Sequence, residues 1–181
     1  MSAPEREPAP VPAPVPVPAP APADFRIVIH KARRTLLTYR QGRLERSFPA
    51  ALGRNAAADK AVEGDEATPL GEFYVCAKNP RSKFFLSMCI SYPNAEHAAR
   101  GLAAQLITDE EHAAILAALR RRALPPQRTR LGGEIYIHGE DPTARERAPK
   151  DWTRGCIALA NPAMLELFDV TPLGTPVLIA P

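Results

Sequence analysis

From Asp24 onward the chain alternates short apolar runs with polar breaks, the pattern of a sheet protein rather than a helical one. Phe25-Arg26-Ile27-Val28-Ile29 and Leu36-Leu37-Thr38-Tyr39-Arg40 flank a basic turn, and Gln41-Gly42 leads into Arg43-Leu44-Glu45-Arg46-Ser47-Phe48. These three runs predict an antiparallel meander. A polar loop carries the chain from Gly53 to Gly71, and residues 73–77 predict the next strand. Asn79-Pro80-Arg81-Ser82 predicts a turn into the apolar run 84–92. Later strands are expected at 134–138, after Gly132-Gly133, and at 174–179.

Two stretches break this pattern. Residues 98–104 are weakly helical, and Thr108-Asp109-Glu110-Glu111 has the form of a capping box, in which Thr and Glu satisfy each other's backbone N–H groups. The Ala-rich run that follows ends in Arg120-Arg121-Arg122, where cations suit the helix dipole, and Pro125-Pro126 stops it. The arginines read as a solvated helix end. Asn161-Pro162 predicts an N-cap and first-turn proline for a short helix over 163–168. The expected fold is therefore mostly β, a sandwich or partly open barrel over residues 24–181. A helical segment is inserted at about 95–128, and it is expected to pack over or beside the functional cleft as a lid. Residues 1–23 hold nine of the 21 prolines, which predicts a disordered, extended Pro/Ala linker.

Composition narrows the function classes. Lys and Arg number 23 against 20 Asp and Glu, a formal +3. With few aromatics and no basic stripe among them, that balance excludes a nucleic-acid binder. Nothing approaches the ~18 consecutive apolar residues of a membrane span. The first residues lack the basic start and apolar core of a signal peptide, so the expectation is a signal or anchor removed ahead of Ser2 or a misassigned start. Cys76, Cys89 and Cys156 form no Cys-x-x-Cys pair. Cys76 and Cys89 lie in apolar stretches and read as small buried residues rather than a disulfide. His30, His97 and His112 lack metal-ligand spacing and read as exposed polar residues. No metal or cofactor is expected.

Cys156 is different. It follows Trp152-Thr153-Arg154-Gly155 and precedes Ile157-Ala158-Leu159. Glycine before a cysteine permits a tight turn and close approach of a substrate carbonyl. If residues 156–159 opened a helical turn, its free N–H groups would favour the thiolate. The Gly155 and Cys156 N–H groups are candidates for an oxyanion hole. His138, at the end of Ile135-Tyr136-Ile137, is the candidate base, and the two would form a Cys–His ion pair if adjacent in space. His138-Gly139-Glu140 echoes the His-x-Glu of zinc deaminases, but the Pro-Cys-x-x-Cys partner is missing. A papain-like protease is excluded by order, since there the Cys precedes the His.

The combination of Ile137-His138-Gly139, Thr153-Arg154-Gly155-Cys156-Ile157 and Gly174-Thr175-Pro176-Val177 resembles the L,D-transpeptidase catalytic domain (the YkuD-like family). Thr68-Pro69-Leu70-Gly71-Glu72-Phe73 resembles that family's Thr-Pro-x-Gly segment. Ile90-Ser91-Tyr92-Pro93-Asn94 and Asp151-Trp152-Thr153 resemble its murein transpeptidase/amidase-like branch. The resemblance spans roughly residues 25–180. It implies a Cys acylated by a peptidoglycan stem tetrapeptide at the L-centre of the diamino acid, with D-Ala leaving. An acceptor amine, on a peptide or a wall-attached protein, or water then takes the acyl group.

By that resemblance Cys156 is nucleophile and His138 base, the Gly139 carbonyl orients the imidazole, and Gly155 and Cys156 supply oxyanion N–H groups. Trp152, Thr153, Arg154, Tyr136 and Tyr92 are expected to bind substrate. Arg154 stands where many relatives have His; it cannot act as a base, but it can hold a carboxylate. A cell-envelope or periplasmic location follows. Hydrolysis at the same bond (carboxypeptidase or amidase) and non-catalytic wall binding are the alternatives.

Overall fold

The C-terminal strand stitches the molecule together. The computed structural model describes residues 24–140 and 151–181, so the expected linker over 1–23 lies outside the described residues. Eight strands form one mixed sheet: β1 (Phe25–His30), β2 (Thr35–Arg40), β3 (Arg43–Pro49), β4 (Gly71–Ser82), β5 (Phe85–Ile90), β6 (Tyr136–His138), β7 (Ile157–Ala158) and β8 (Pro176–Ala180). Their order is β3-β2-β1-β8-β4-β5-β6-β7. β8 runs parallel to β1 and antiparallel to β4, so it joins the N-terminal meander to the half that carries β6 and β7. The meander is antiparallel, as its turn signals predict. The sheet is not closed, but single bridges from Ala51 to Ala158 and from Gly53 to Thr153 draw the chain after β3 toward its far edge.

Alternation sorts the side chains. Ile27, Ile29, Val75, Met88, Ile90, Ile137, Ile157, Val177 and Ile179 all enter one buried core, joined by Met164 and Leu167 of α3 (Asn161–Val170). Each fully buried aliphatic side chain contributes about 1.5–3 kcal/mol. Neighbouring positions on β5 and β6, Ser87, Tyr136 and His138, face the opposite side and line a cleft. The inward face fixes the outward one, because a slip of one residue would exchange them.

Helices α1 (Ala95–Ala103) and α2 (Asp109–Arg120) pack on each other through a small cluster of Ala98, Ile107, Ile115 and Leu131. The predicted capping box is present: Thr108 Oγ1 accepts the Glu111 N–H, and Glu111 accepts the Thr108 N–H. After it, Arg122 stacks on the Tyr74 ring and donates to Gly174 O at 2.9 Å, rather than ending free in solvent.

Four expectations are corrected. The turn at 79–82 belongs to β4, and the chain reverses at Lys83-Phe84 instead, with Phe85 in the left-handed region (φ 70°). Residues 157–158 are strand, not the start of a helical turn, so no helix dipole acts on Cys156. Asn161 is the first residue of α3 and not its cap; its side chain accepts the Glu140 N–H at 2.7 Å. Finally, no residue from 95–128 lines the cleft, so the inserted helices form no lid over it.

Candidate active site

The loop 151–156 reaches the sheet under several restraints. Asp151 accepts two hydrogen bonds from the Arg34 guanidinium, at 2.7 and 3.1 Å, and one from the Leu52 N–H. Thr153 Oγ1 donates to Cys156 O at 2.7 Å and accepts the Gly155 N–H at 3.2 Å, closing a small ring that turns the chain. Gly155 adopts φ +123°, and a Cβ there would meet Ala67 O at 2.7 Å, so only glycine fits.

The segment preceding β4 forms the other side of this cradle. Thr68 is fully buried; its hydroxyl accepts the Gly53 N–H at 2.9 Å and its carbonyl accepts from Lys31 Nζ at 2.6 Å. Lys31 is 4% exposed, and its second acceptor is Ala58 O. Lys60, equally buried, pairs with Asp65 at 3.0 Å, and Asp65 also accepts the N–H groups of Ala61, Val62 and Ala67. Neither buried lysine carries a sequence signal: each sits in a polar run that reads as loop.

β6 and β7 pair in parallel, with Ile137 opposite Ile157 and His138 opposite Ala158. Ile137 and Ile157 face the core, so Tyr136, His138 and Cys156 share the other face. They line a cleft of about 710 Å³ with Trp152, Thr153, Arg154, Glu134, Ser87, Arg54 and the β4–β5 hairpin tip (Asn79, Arg81, Ser82, Lys83, Phe84). Four cations face one carboxylate across this lining, and Arg54 is paired with Glu66 at 2.6 Å.

His138 is 3% exposed. Its Nδ1 lies 2.6 Å from Gly139 O, a contact that requires the proton on Nδ1 and leaves Nε2 as acceptor. Phe84 stacks on the ring at 4.7 Å, and Trp152 meets it edge-on at 5.7 Å. Gly139 cannot carry a side chain, because a Cβ would meet Asn161 Oδ1 at 2.4 Å. Burial lowers the imidazole pKa, opposed by the Gly139 carbonyl.

Cys156 is half-buried, and its Sγ–H donates to Glu134 O at 3.4 Å. Burial pushes its pKa up to about 11, opposed by the Tyr136 backbone and by Lys60 and reinforced by Glu134. The two shifts, thiol up and imidazole down, both favour the neutral forms over the expected ion pair.

Three other expectations change. Gly155 N–H is engaged by Thr153, so of the two oxyanion candidates only the Cys156 N–H has no acceptor among the described residues. Tyr92 is fully buried; its hydroxyl donates to Leu131 O at 3.0 Å and it does not line the cleft. Thr153 lines the cleft, but its hydroxyl is spent on the loop. Tyr136, Trp152 and Arg154 do line the cleft. Phe84, which stacks on His138, was not among the sequence candidates, because the hairpin tip was read as strand.

The remaining cysteines and histidines are also placed. Cys76 and Cys89 are free thiols; Cys89 is buried, Cys76 is half-buried and donates to Cys89 O at 3.3 Å. His97 is buried, not exposed, and His30 and His112 are half-buried. Among the described residues no cluster of His, Cys, Asp or Glu could hold a metal ion, and no helix is long and apolar enough to cross a membrane.

An open mixed sheet presenting one cysteine and one backbone-pinned histidine on a common face defines a class of thiol-bearing cleft. The family model for the L,D-transpeptidase catalytic domain (YkuD) matches residues 24–179, and the chain belongs to that family. Its members act on peptidoglycan stem peptides. No curated protein matches the chain in sequence. Among solved structures, the helical cell shape determining protein Pgp2 from Campylobacter jejuni is similar at 22% identity and TM-score 0.60, covering 86% of this chain and 47% of that one. Bd1075 from Bdellovibrio bacteriovorus follows at 21% identity and TM-score 0.55, covering 86% and 47%. An L,D-transpeptidase from Mycobacterium smegmatis is similar at 14% identity and TM-score 0.52, covering 87% and 59%. The chain spans about half the length of the first two.

Proposed function

We propose that the chain is a cysteine acyltransferase acting on peptidoglycan stem peptides at the L-centre of the diamino acid, in the cell envelope. The observation that carries this is the shared cleft face of Cys156 and His138 on paired strands, with Nδ1 held by Gly139 O and Nε2 left to accept a proton.

The chemistry follows from that arrangement. A bound tetrapeptide presents its scissile carbonyl above Cys156. Rotation about χ1, between staggered wells, takes the Sγ–H away from Glu134 O and toward His138. Nε2 accepts the proton as sulfur attacks carbon, and the Cys156 N–H receives the developing oxyanion. The tetrahedral intermediate collapses by breaking the C–N bond. Imidazolium returns its proton to the leaving amine of D-Ala, and a Cys156 thioester remains. An acceptor amine then attacks, His138 takes its proton, and the thiol is restored. With burial favouring the neutral thiol and imidazole, His138 serves as general base, taking the thiol proton during attack. Arg154, Arg81 and Lys83 offer charge-assisted bonds to substrate carboxylates, and Trp152 and Tyr136 supply flat walls.

Incubation with a disaccharide-tetrapeptide, with products resolved by mass spectrometry, tests the reading. A cross-linked dimer is the expected product. Tripeptide with no dimer would reassign the chain as a hydrolase of the same bond, and unchanged substrate would overturn the enzyme reading.

A further inference from the structure

The helical insert forms no lid, yet it reaches the thiol from behind. Gln127 lies just beyond α2 and makes three hydrogen bonds. Its Nε2 donates to Tyr92 O at 2.9 Å and to Pro125 O at 2.8 Å, and its Oε1 accepts the Glu134 N–H at 2.6 Å. Both amide donors and the amide acceptor are thus committed to backbone, which fixes the side chain as a rigid clamp. Gly133 lies directly against it: a Cβ there would meet Gln127 O at 2.6 Å and Gln127 Cα at 2.7 Å. Glu134 sits in the left-handed region (φ 54°), where an ordinary residue is held only by its surroundings. The product of this strain is one carbonyl direction: Glu134 O points into the cleft and accepts the Cys156 Sγ–H at 3.4 Å.

We infer that Gln127 is a positioning residue that latches the resting Cys156 thiol, by fixing the Glu134 carbonyl as its hydrogen-bond acceptor. A carbonyl that accepts from S–H stabilises the thiol and opposes the thiolate, since its negative end would then face the anion. The latch keeps sulfur protonated and turned toward Glu134 until substrate arrives. It also makes the insert part of the active site without contact with substrate: α2 and Pro125 hold Gln127, Gln127 holds Glu134, and Glu134 holds the thiol.

Other groups also set the charge state of Cys156. Lys60 acts from the loop before β4, Cys89 from β5, Glu134 and Tyr136 from the segment entering β6, and His138 and Arg154 complete the lining. Gln127→Ala and Gln127→Met add no charge, so Lys60, Cys89, His138 and Arg154 act as before and a lowered midpoint reports the release of Glu134.

The test is the pH dependence of iodoacetamide alkylation, read at the Cys156 peptide by mass spectrometry, in the full chain and in Gln127→Ala and Gln127→Met. In Gln127→Ala the midpoint is expected to fall by about one pH unit. That gives about tenfold more thiolate near neutral pH and, because a less basic thiolate is less nucleophilic, about threefold faster alkylation. Gln127→Met keeps the length of the side chain but offers no acceptor to the Glu134 N–H, and its midpoint is expected to fall by a similar amount. The Cys89 peptide serves as the folding control, since that thiol is 3% exposed and alkylates quickly only on unfolding. An unmoved midpoint in folded Gln127→Ala overturns the latch. If Gln127→Ala unfolds, Gln127→Met decides: a lowered midpoint supports the latch and a wild-type midpoint overturns it. The inference rests on Cys156 being the reacting thiol of the proposed enzyme. Alkylation requires no turnover, however, so a wild type that leaves the disaccharide-tetrapeptide unchanged, beside a lowered midpoint in Gln127→Ala, would overturn the enzyme reading and leave the latch standing.

Discussion

Two buried histidines, each 3% exposed, differ in what their ring nitrogens face. His97 opens α1, with Nδ1 2.6 Å from Asn94 Oδ1, Nε2 3.4 Å from Asp59 Oδ1, and Phe73 and Tyr92 packed around the ring. Asp59 in turn accepts the Leu70 N–H and pairs with Arg100. His138 also lies between aromatic rings and is also lowered in pKa by burial. The difference is one nitrogen. His97 has both ring nitrogens committed within the fold, whereas His138 has one pinned and one facing a cleft with a cysteine in it. Burial and a lowered pKa mark both residues; of the two, only His138 keeps a ring nitrogen without a partner among the described residues.

That contrast can be broken by exchanging the losses. His138→Gln should lower the rate of acyl transfer by about 10²–10⁴-fold, the usual contribution of a general base, at a cost of about 0.5–1.5 kcal/mol in urea unfolding for the stacking lost with Phe84. His97→Ala should do the reverse, costing about 1–3 kcal/mol in urea unfolding by orphaning its buried partners, with transfer per folded molecule retained. A transfer defect in folded His97→Ala as deep as that of His138→Gln would erase the distinction.

The same pair predicts a pH dependence of stability. Both imidazoles have folded pKa values below the ordinary value of about 6.5, so the unfolded chain binds more protons in that window. Their stabilisation is full above about pH 6.5 and is lost as pH falls toward the folded pKa values. The Asp59 carboxyl is held below its ordinary value by the Leu70 N–H and by Arg100, against its burial, so its contribution persists until pH falls below about 3.9. Urea unfolding between pH 7 and 5 should therefore fall less steeply for His97→Ala, with the remaining slope belonging to His138. An unaltered slope would show that His97 carries no linkage.

The smallest effect is expected at Phe84. Removing a ring stacked at 4.7 Å costs about 0.5–1.5 kcal/mol of aromatic contact and admits water to His138. Phe84→Ala should raise the imidazole pKa, move the acid limb of the transfer profile to higher pH, and slow transfer by about two- to tenfold.

The sequence made the chemistry legible because its carriers are local. His138-Gly139 and Thr153–Cys156 are short motifs whose geometry follows from turns and strand pairing, and β6 and β7 set them side by side. The meander, the capping box and the core face of each strand were equally readable from period and turn chemistry. What was not legible is non-local. Phe84 depends on a hairpin that reverses at Lys83-Phe84, beyond the Asn79-Pro80-Arg81-Ser82 signal, with a non-glycine residue, Phe85, in the left-handed region. Tyr92 and His97 look polar or substrate-facing in sequence, yet the helical insert buries them both. At Gly155 the miss is local: the Thr153 hydroxyl takes its N–H at rest, the two-residue pattern Ser and Thr favour in turns.

The central claim is that Cys156 is the acylated nucleophile and His138 its base. Its most direct test is peptide-resolved mass after exposure to a carbapenem, which forms a covalent adduct with many members of this family. The account predicts a single adduct on the Cys156 peptide of the wild type, none on Cys156→Ala, and slow formation on His138→Gln. No adduct on the wild type, or an equal adduct on Cys156→Ala, would contradict it.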